Sequence, residues 1–283
     1  VSGVAVVTDT ASDLTPAEAA ANKLTVVPLF VYFGEAEYRA VIDMSAEQFW
    51  AEMTKPGAPL PRTAAASPAA FNEAFERLFA EGADEIVYVG VGSKLSATLK
   101  SAHVAAEMQP NRRILIVDSE SATLGTGLLA LAAAAMAAAG ASGDEIVADI
   151  ERRRDQSQLY LALDTLEYLR RGGRISAAQA AIGSVLSVKP IITIKHGVVE
   201  TVDRPRTRSK ARARVLELFE GVTAERVAVL DCQAPEVSGF ADDLAALLNF
   251  PRDQISIHLV GGSIGPHVGP GAYGAVVLPR REG

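Results

Sequence analysis

The stretch Glu85–Glu107 constrains the fold more than any other. Glu85-Ile-Val-Tyr-Val89 is an apolar run of strand length, Gly90-Val-Gly92-Ser93 is a small-residue turn, and the segment from Leu95 to Glu107 is rich in Ala, Leu and Lys. A strand passing through a tight turn into a helix is the repeating unit of α/β sheets with parallel strands. At such a turn the unpaired N–H groups of the first helical turn meet the positive end of the helix dipole, which suits an anion. Ser93 and Ser96 add hydroxyls there; taken alone, Ser93 reads as a helix cap. The pair Gly90-x-Gly92 hints at a dinucleotide, but Leu95 stands where a third glycine belongs and no GxxxxGK[ST] motif occurs. The anion is therefore not expected to be a nucleotide phosphate.

The same alternation runs through the first half of the chain. Val4–Val7 reads as a buried strand, Thr15-Pro-Ala-Glu18 as a capped helix start, Thr25–Phe33 as a second strand, and Asp43 or Ser45 as the cap of a helix through Trp50. Thr63 is expected in a turn after the loop Lys55–Pro61, and Ser67-Pro68 opens a helix through Phe79. Ile114–Val117 is a further strand, followed by an Ala-rich helix. Ligands of such sheets bind beyond the carboxyl ends of the strands, where Asp9, Thr63, Ser93 and Asp118 are expected. After Gly140 the pattern changes: a charged helix Asp144–Gln156, a strand Leu159–Leu163, a short helix Thr165–Arg171 and a small-residue helix Ser176–Ser187. The hairpin Ile191–Val202 turns at His196-Gly197, and Arg226–Leu230 and Ile255–Val260 are strands. For 283 residues two domains are expected. They are an N-terminal α/β domain with a mainly parallel sheet (1–157) and a C-terminal α+β domain with a mixed or antiparallel sheet (158–283).

A net charge of −7 argues against nucleic acid and against anionic membranes as partners. Leu128–Ala139 falls short of the ~20 residues of a membrane span and reads as a buried helix, so no stable membrane insertion is expected. The first residues carry no basic region of the signal-peptide kind. The lone Cys232 permits no intramolecular disulfide and suits a reducing, cytoplasmic setting. No pair among His103, His196, His258 and His267 has metal-ligand spacing, and no metal or cofactor is expected. His267 differs from the others in lying within Gly-Pro-His-Val-Gly-Pro-Gly, a rigid loop that serves a ligand or merely a turn. No nucleophile elbow is present, so catalytic residues are not assigned and binding is favoured over catalysis. Arg204, Arg206 and Arg208, read along a strand, point three guanidiniums to one side. Two further readings stay open: a stand-alone enzyme acting on a small anionic metabolite, and a regulatory module docking through Arg204–Arg214.

Nine segments, in order, resemble the DegV family of fatty-acid-binding proteins: VVTDTASDL, VVPLFVYF, RTAAASP, GSKLSATLKSA, VDSESATLGTGLL, LDTLEYLRRGGRIS, VKPIITIKHGVV, RPRTRSKA and HVGPGAYG. The resemblance covers essentially the whole chain. It implies a bacterial, cytoplasmic protein of phospholipid metabolism that holds one long-chain fatty acid between two domains. It further implies that the chain is the non-catalytic subunit of a fatty acid kinase, whose ATP site lies on a separate subunit. Thr63, Ser93 and His267 correspond to the family's carboxylate ligands, with Ser96, Arg170, Arg171 and Arg174 as candidates at the pocket or its entrance. Arg204, Arg206 and Arg208 correspond to the surface that meets the kinase. The family usually reads TSQPS where this chain has Thr63-Ala64-Ala65-Ala66-Ser67, so two polar side chains beside Thr63 are replaced by Ala64 and Ala65.

Overall fold

Runs of consecutive apolar residues form the centre of a parallel sheet, because a strand covered on both faces has no polar side to alternate with. In the computed structural model, which describes residues 3–175 and 188–280, Val6, Val7 and Ile86–Val89 are all buried. They lie on β1 (Gly3–Asp9) and β6 (Ala83–Gly90), neighbours in a four-stranded parallel sheet completed by β2 (Thr25–Val27) and β7 (Arg113–Asp118), in the order β2-β1-β6-β7. Helices α3 (Pro68–Ala80) and α4 (Thr98–Glu107) cover one face, while α5 (Leu124–Ala138) and α6 (Gly143–Gln156) cover the other. Reciprocal capping boxes start α1 (Pro16–Ala21) at Thr15/Glu18 and α6 at Ser142/Glu145.

The expected strand Thr25–Phe33 is instead two strands in two sheets. Pro28, which cannot donate to a ladder, follows the last residue of β2, and the chain re-enters extended structure at β3 (Phe30–Phe33). With β4 (Ala36–Arg39) and β5 (Arg62–Ala64), β3 forms an antiparallel sheet in the order β4-β3-β5. Thr63 is thus the middle residue of β5, opposite Val31, and not part of a turn. Ser45 caps α2 (Ala46–Met53), whose Phe49 and Trp50 are fully buried.

The remaining strands build a six-stranded mixed sheet in the order β10-β9-β8-β13-β11-β12. These are β8 (Gln158–Ala162), β9 (Ile191–Lys195), β10 (Val198–Asp203), β11 (Ala224–Asp231), β12 (Ser256–Leu259) and β13 (Tyr273–Pro279). Only β11 and β12 pair in parallel; the other pairs are antiparallel. The β9–β10 hairpin turns on His196 and Gly197, both at positive φ (48° and 74°), as a tight two-residue hairpin requires. Helices α7 (Glu167–Arg171), α8 (Arg208–Glu217), α9 (Val237–Leu248) and the single turn α10 (Gly265–Val268) complete the chain. The expected helix Ser176–Ser187 lies outside the described residues.

The Ala-rich helix α5 sits between the parallel and mixed sheets and is buried all round from Leu124 to Ala134. Its small side chains allow this approach: a Cβ on Gly127 would come within 2.6 Å of the Ser12 carbonyl oxygen. One continuous apolar cluster therefore runs from Val6 through Leu128 to Leu161, Leu230 and Val276. Each fully buried Leu contributes about 1.5–3 kcal/mol. No described helix is long and apolar enough to cross a membrane. Polar ties cross the same seam, where Asp13 Oδ1 accepts from the Gly261 N–H at 2.8 Å and the Trp50 indole donates to Val260 O at 2.7 Å. Arg153, almost wholly buried, bonds both Asp149 on its own helix and Glu225 on β11.

Candidate functional site

The carboxyl end of β1 organises the turn after β6. Asp9 is fully buried and accepts hydrogen bonds from the Tyr88 hydroxyl (2.6 Å), the Val91 N–H (3.0 Å) and the Ala11 N–H (2.9 Å). Burial nevertheless raises its pKa, and the three donors counter that rise. The Gly92 N–H then bonds Ser121 O at 2.8 Å, and Leu95 and Ser96 donate back to Gly92 O, which closes the turn. Its two serines consequently point to different places. Ser93 is exposed, with its backbone N–H shared between the Asp118 carboxylate oxygens at 3.2 and 3.3 Å. Ser96 lines an interior cavity, with its Oγ 2.8 Å from Thr98 Oγ1 and accepting the Thr98 N–H.

That cavity, of about 170 Å³, lies between the parallel-sheet half and the mixed sheet. Its walls are Leu159, Leu161, Ile192, Ile194 and Val199 on one side and Ala11, Leu29, Val91, Leu95 and Ala122 on the other. A water-sized group needs roughly 10–15 Å³ of such space, so there is room for on the order of a dozen. Thr63, Ser96, Arg174 and His267 supply a polar group of lining residues, and Arg174 is the single charged residue among the described residues of the lining.

His267 is held from three sides. The residue sits on α10, whose Pro266 sets the first helical turn. A Cβ on Gly265 would collide with the Phe49 ring, so α10 rests directly on the buried aromatic pair of α2. Gly269 (φ +75°) approaches the Tyr168 ring as closely, and a Cβ on Gly172 would collide with Nδ1 of His267 itself. Nε2 lies 2.9 Å from Thr63 Oγ1, while Nδ1 has no hydrogen-bond partner among the described residues. Burial, and secondarily the positive charge of Arg174, pull the imidazole down to about 4, so the ring is neutral at neutral pH. Arg174 donates from Nε to Leu95 O at 3.0 Å and from Nη1 to Gly172 O, with no carboxylate partner among the described residues. It is the guanidinium of its segment that reaches the cavity. Arg170 and Arg171 are exposed and ion-paired to Glu167.

The structure thus brings Thr63 and His267 into contact, with Ser96 and Arg174 in the same lining, and does not bring Ser93 there. The expected row of three arginines does not form either. β10 ends at Asp203, Thr207 caps α8 by accepting the Lys210 N–H, and Arg208 opens that helix. Arg208 is paired with Asp164 and Glu236 and donates to Gly271 O at 2.8 Å, Arg204 is half-buried, and Arg206 alone is exposed. His258, buried on β12, bonds Ser256 and the Asp13 carbonyl oxygen. No described group of His, Cys, Asp and Glu residues could hold a metal ion.

Fold and site together define an α/β protein with a partly open, mostly apolar cavity carrying a small set of polar groups. The family model described as uncharacterised protein, DegV family, matches residues 3–280, and the chain belongs to that family. A DegV domain-containing protein of Deinococcus radiodurans is 35% identical, with 98% of each chain covered. Among solved structures, the fatty-acid-binding DegV family protein of Thermus thermophilus superposes with a TM-score of 0.89 at 32% identity, covering 98% of this chain and all of that one. DegV, a fatty acid binding protein from Bacillus subtilis, gives 0.86 at 30% identity, covering 99% of this chain and all of that one.

Proposed function

We propose that this chain binds one long-chain fatty acid in the interior cavity and presents its carboxyl group to a separate ATP-dependent kinase subunit for acyl-phosphate formation. The observation that carries the reading is the cavity itself, apolar on both long walls, with Thr63, Ser96, Arg174 and His267 in its lining. Two relatives of the same fold bind fatty acids. On this reading residues 1–157 and 158–283 act as two domains closing on the acyl chain, and the chain is a binding subunit with the chemistry supplied by its partner.

An acyl chain of ~15 methylenes at about 0.8 kcal/mol each gains roughly 12 kcal/mol of gross burial. Association and ordering offset much of that. The tail then supplies affinity and the head-group contacts supply orientation. A carboxylate taken out of water stays ionised only if charge and donors meet it. Arg174 supplies the charge, and Thr63 and Ser96 supply hydroxyl donors. With Nε2 protonated, neutral His267 donates to Thr63 Oγ1 and leaves the threonine proton free for the carboxylate. Ala64 and Ala65 line the cavity as well, so the apolar surface reaches close to Thr63. In this chain Arg174 carries the charge of the head-group site without polar help from those two positions.

Titration of delipidated protein with palmitate, followed through the single tryptophan Trp50 behind α10, tests the site. Arg174→Gln is expected to weaken binding by about tenfold, the scale of one charge-assisted pair; an unchanged affinity contradicts the assignment. Trapping with hydroxylamine tests the partner. Acyl hydroxamate should form only when protein, ATP and kinase subunit are all present, and its formation without the kinase overturns the division of labour.

A further inference from the structure

A second, open groove of about 660 Å³ lies outside the turn after β6. Ser93, Lys94, Lys100, His103, Gly173 and Arg174 line it, and Leu95, Ser96, Ala97 and Arg174 are shared with the interior cavity. Those four residues are a partition with the cavity on one side and solvent on the other. Lys100 and His103 are three residues apart on α4, so they share one face of that helix, while Ser96 lies in the turn just before it.

The groove's charge is unlike that of the chain as a whole. Net charge is −7, and most arginines elsewhere sit in ion pairs, such as Arg39, Arg113, Arg153, Arg208 and Arg252. Among the described residues of the groove lining no carboxylate occurs. Lys94 donates to a backbone carbonyl, His196 O, at 2.8 Å, and among the described residues the Arg174 guanidinium likewise bonds carbonyls. Lys100 and His103 are exposed and have no ion-pair partner among the described residues. Of the acids around the turn, Asp118 accepts the Ser93 and Glu120 N–H groups, and the Glu120 carboxylate faces the His196 ring. Three cations with no ion-pair partner among the described residues, two of them held by backbone carbonyls, in a concave surface with the Ser93 hydroxyl, suit a compact, multiply charged anion better than an extended acidic chain.

We propose that this outer groove is a phosphate-binding subsite, which takes the phosphate groups of a small phosphate ester or polyphosphate and holds them across the Leu95–Ala97 partition from the fatty-acid carboxylate. The proposal deepens the reading of the cavity and rests on it for the ligand's neighbour, though not for the groove's own chemistry. Arg174 faces both compartments and is the group through which the two anions sense one another.

Calorimetric titration of tripolyphosphate into the full chain tests this, with native mass spectrometry of the same samples for bound fatty acid. The double variant Lys94→Gln, Lys100→Gln keeps an N–H for His196 O and leaves the cavity lining untouched. Saturable one-to-one binding is expected, weakened by about tenfold or more in the double variant and by added salt. The control Lys210→Gln, on a different helix, should bind as the parent does. Absence of saturable binding, equal loss in the control, or equally tight binding of a hexaglutamate peptide overturns the proposal. Vesicles containing phosphatidylglycerol separate the sources: binding to vesicles but not to soluble tripolyphosphate also overturns it. Protein that carries fatty acid yet ignores tripolyphosphate defeats the groove alone. Protein that binds tripolyphosphate but never carries fatty acid defeats the reading of the cavity and upholds the groove.

Discussion

Asp13, which is buried, and His267, which is mostly so, are titratable residues whose effects on stability run in opposite directions. For His267 the folded value, about 4, lies below the ordinary 6.5. Between those values the unfolded chain binds a proton that the folded chain does not, so stability falls as pH drops through that window. The effect approaches ~3 kcal/mol by linkage. Burial pushes Asp13 up to about 7 from an ordinary 3.8. Over that range the folded chain holds a proton the unfolded chain has released, and stability falls as pH rises. The two slopes oppose one another between about pH 4.5 and 6.5, so removing either group is predicted to tilt the profile, relative to the parent, in the direction set by the other. His267→Gln should lose stability as pH rises, whereas Asp13→Asn, which keeps an acceptor for the Gly261 N–H, should gain it. Urea midpoints at the two ends of that range check this; parallel profiles for parent and both variants would contradict it. At this scale the sequence was partly readable. Thr63 and His267 entered as ligand candidates through the family resemblance, the His267 loop alone being equally a turn, and which serine of Gly-Ser-Lys-Leu-Ser turns inward depends on the Gly92 carbonyl taking the Leu95 and Ser96 N–H groups. The choice of Arg174 over its two neighbours depends on Glu167 capturing both of those.

At the scale of elements, propensity and packing can be set against each other in α5. On a free helix Gly→Ala gains about 1 kcal/mol. At Gly127 the added methyl meets the Ser12 carbonyl oxygen at 2.6 Å and the Leu14 side chain at 3.2 Å, and backbone cannot yield as a flexible side chain would. Overpacking costs about 1–3 kcal/mol, so packing wins. Gly127→Ala is predicted to lower stability by up to about 2 kcal/mol after propensity is credited, measured by urea denaturation at neutral pH; a gain in stability would refute the close seating of α5. The helix itself was legible from its uninterrupted apolar run, as were the capped starts at Thr15 and Ser67 and the hairpin at His196-Gly197. Short strands were not. β4 and β5 have only four and three residues, too few for an alternating pattern, and so Thr63 looked like a loop residue. The arginines from 204 to 208 alternate as a strand would, but Thr207 captures the Lys210 N–H and starts a helix. A local cap outweighs a pattern carried by side chains that solvent or carboxylates can satisfy in either conformation.

Across the whole molecule, the parallel and mixed sheets are held to one another by apolar packing through α5 and by buried polar ties such as Asp13–Gly261 and Trp50–Val260. The alternation of strand and helix foretold the parallel sheet, and the change after Gly140 foretold the mixed one. What no stretch of sequence contains is the cavity, because one wall comes from β8, β9 and β10, the other from segments scattered between Ala11 and Ala122, and it exists only once both sheets are assembled. Its apolar walls and its polar group are also what give the central claim a direct test. Native mass spectrometry of the purified full chain, followed by mild organic extraction, reads out bound lipid without labels or partner. The account predicts a mass increment of one long-chain fatty acid per chain, removable by extraction and restored on adding palmitate or oleate. A chain that carries no such acid, and takes up none when it is offered, would contradict it.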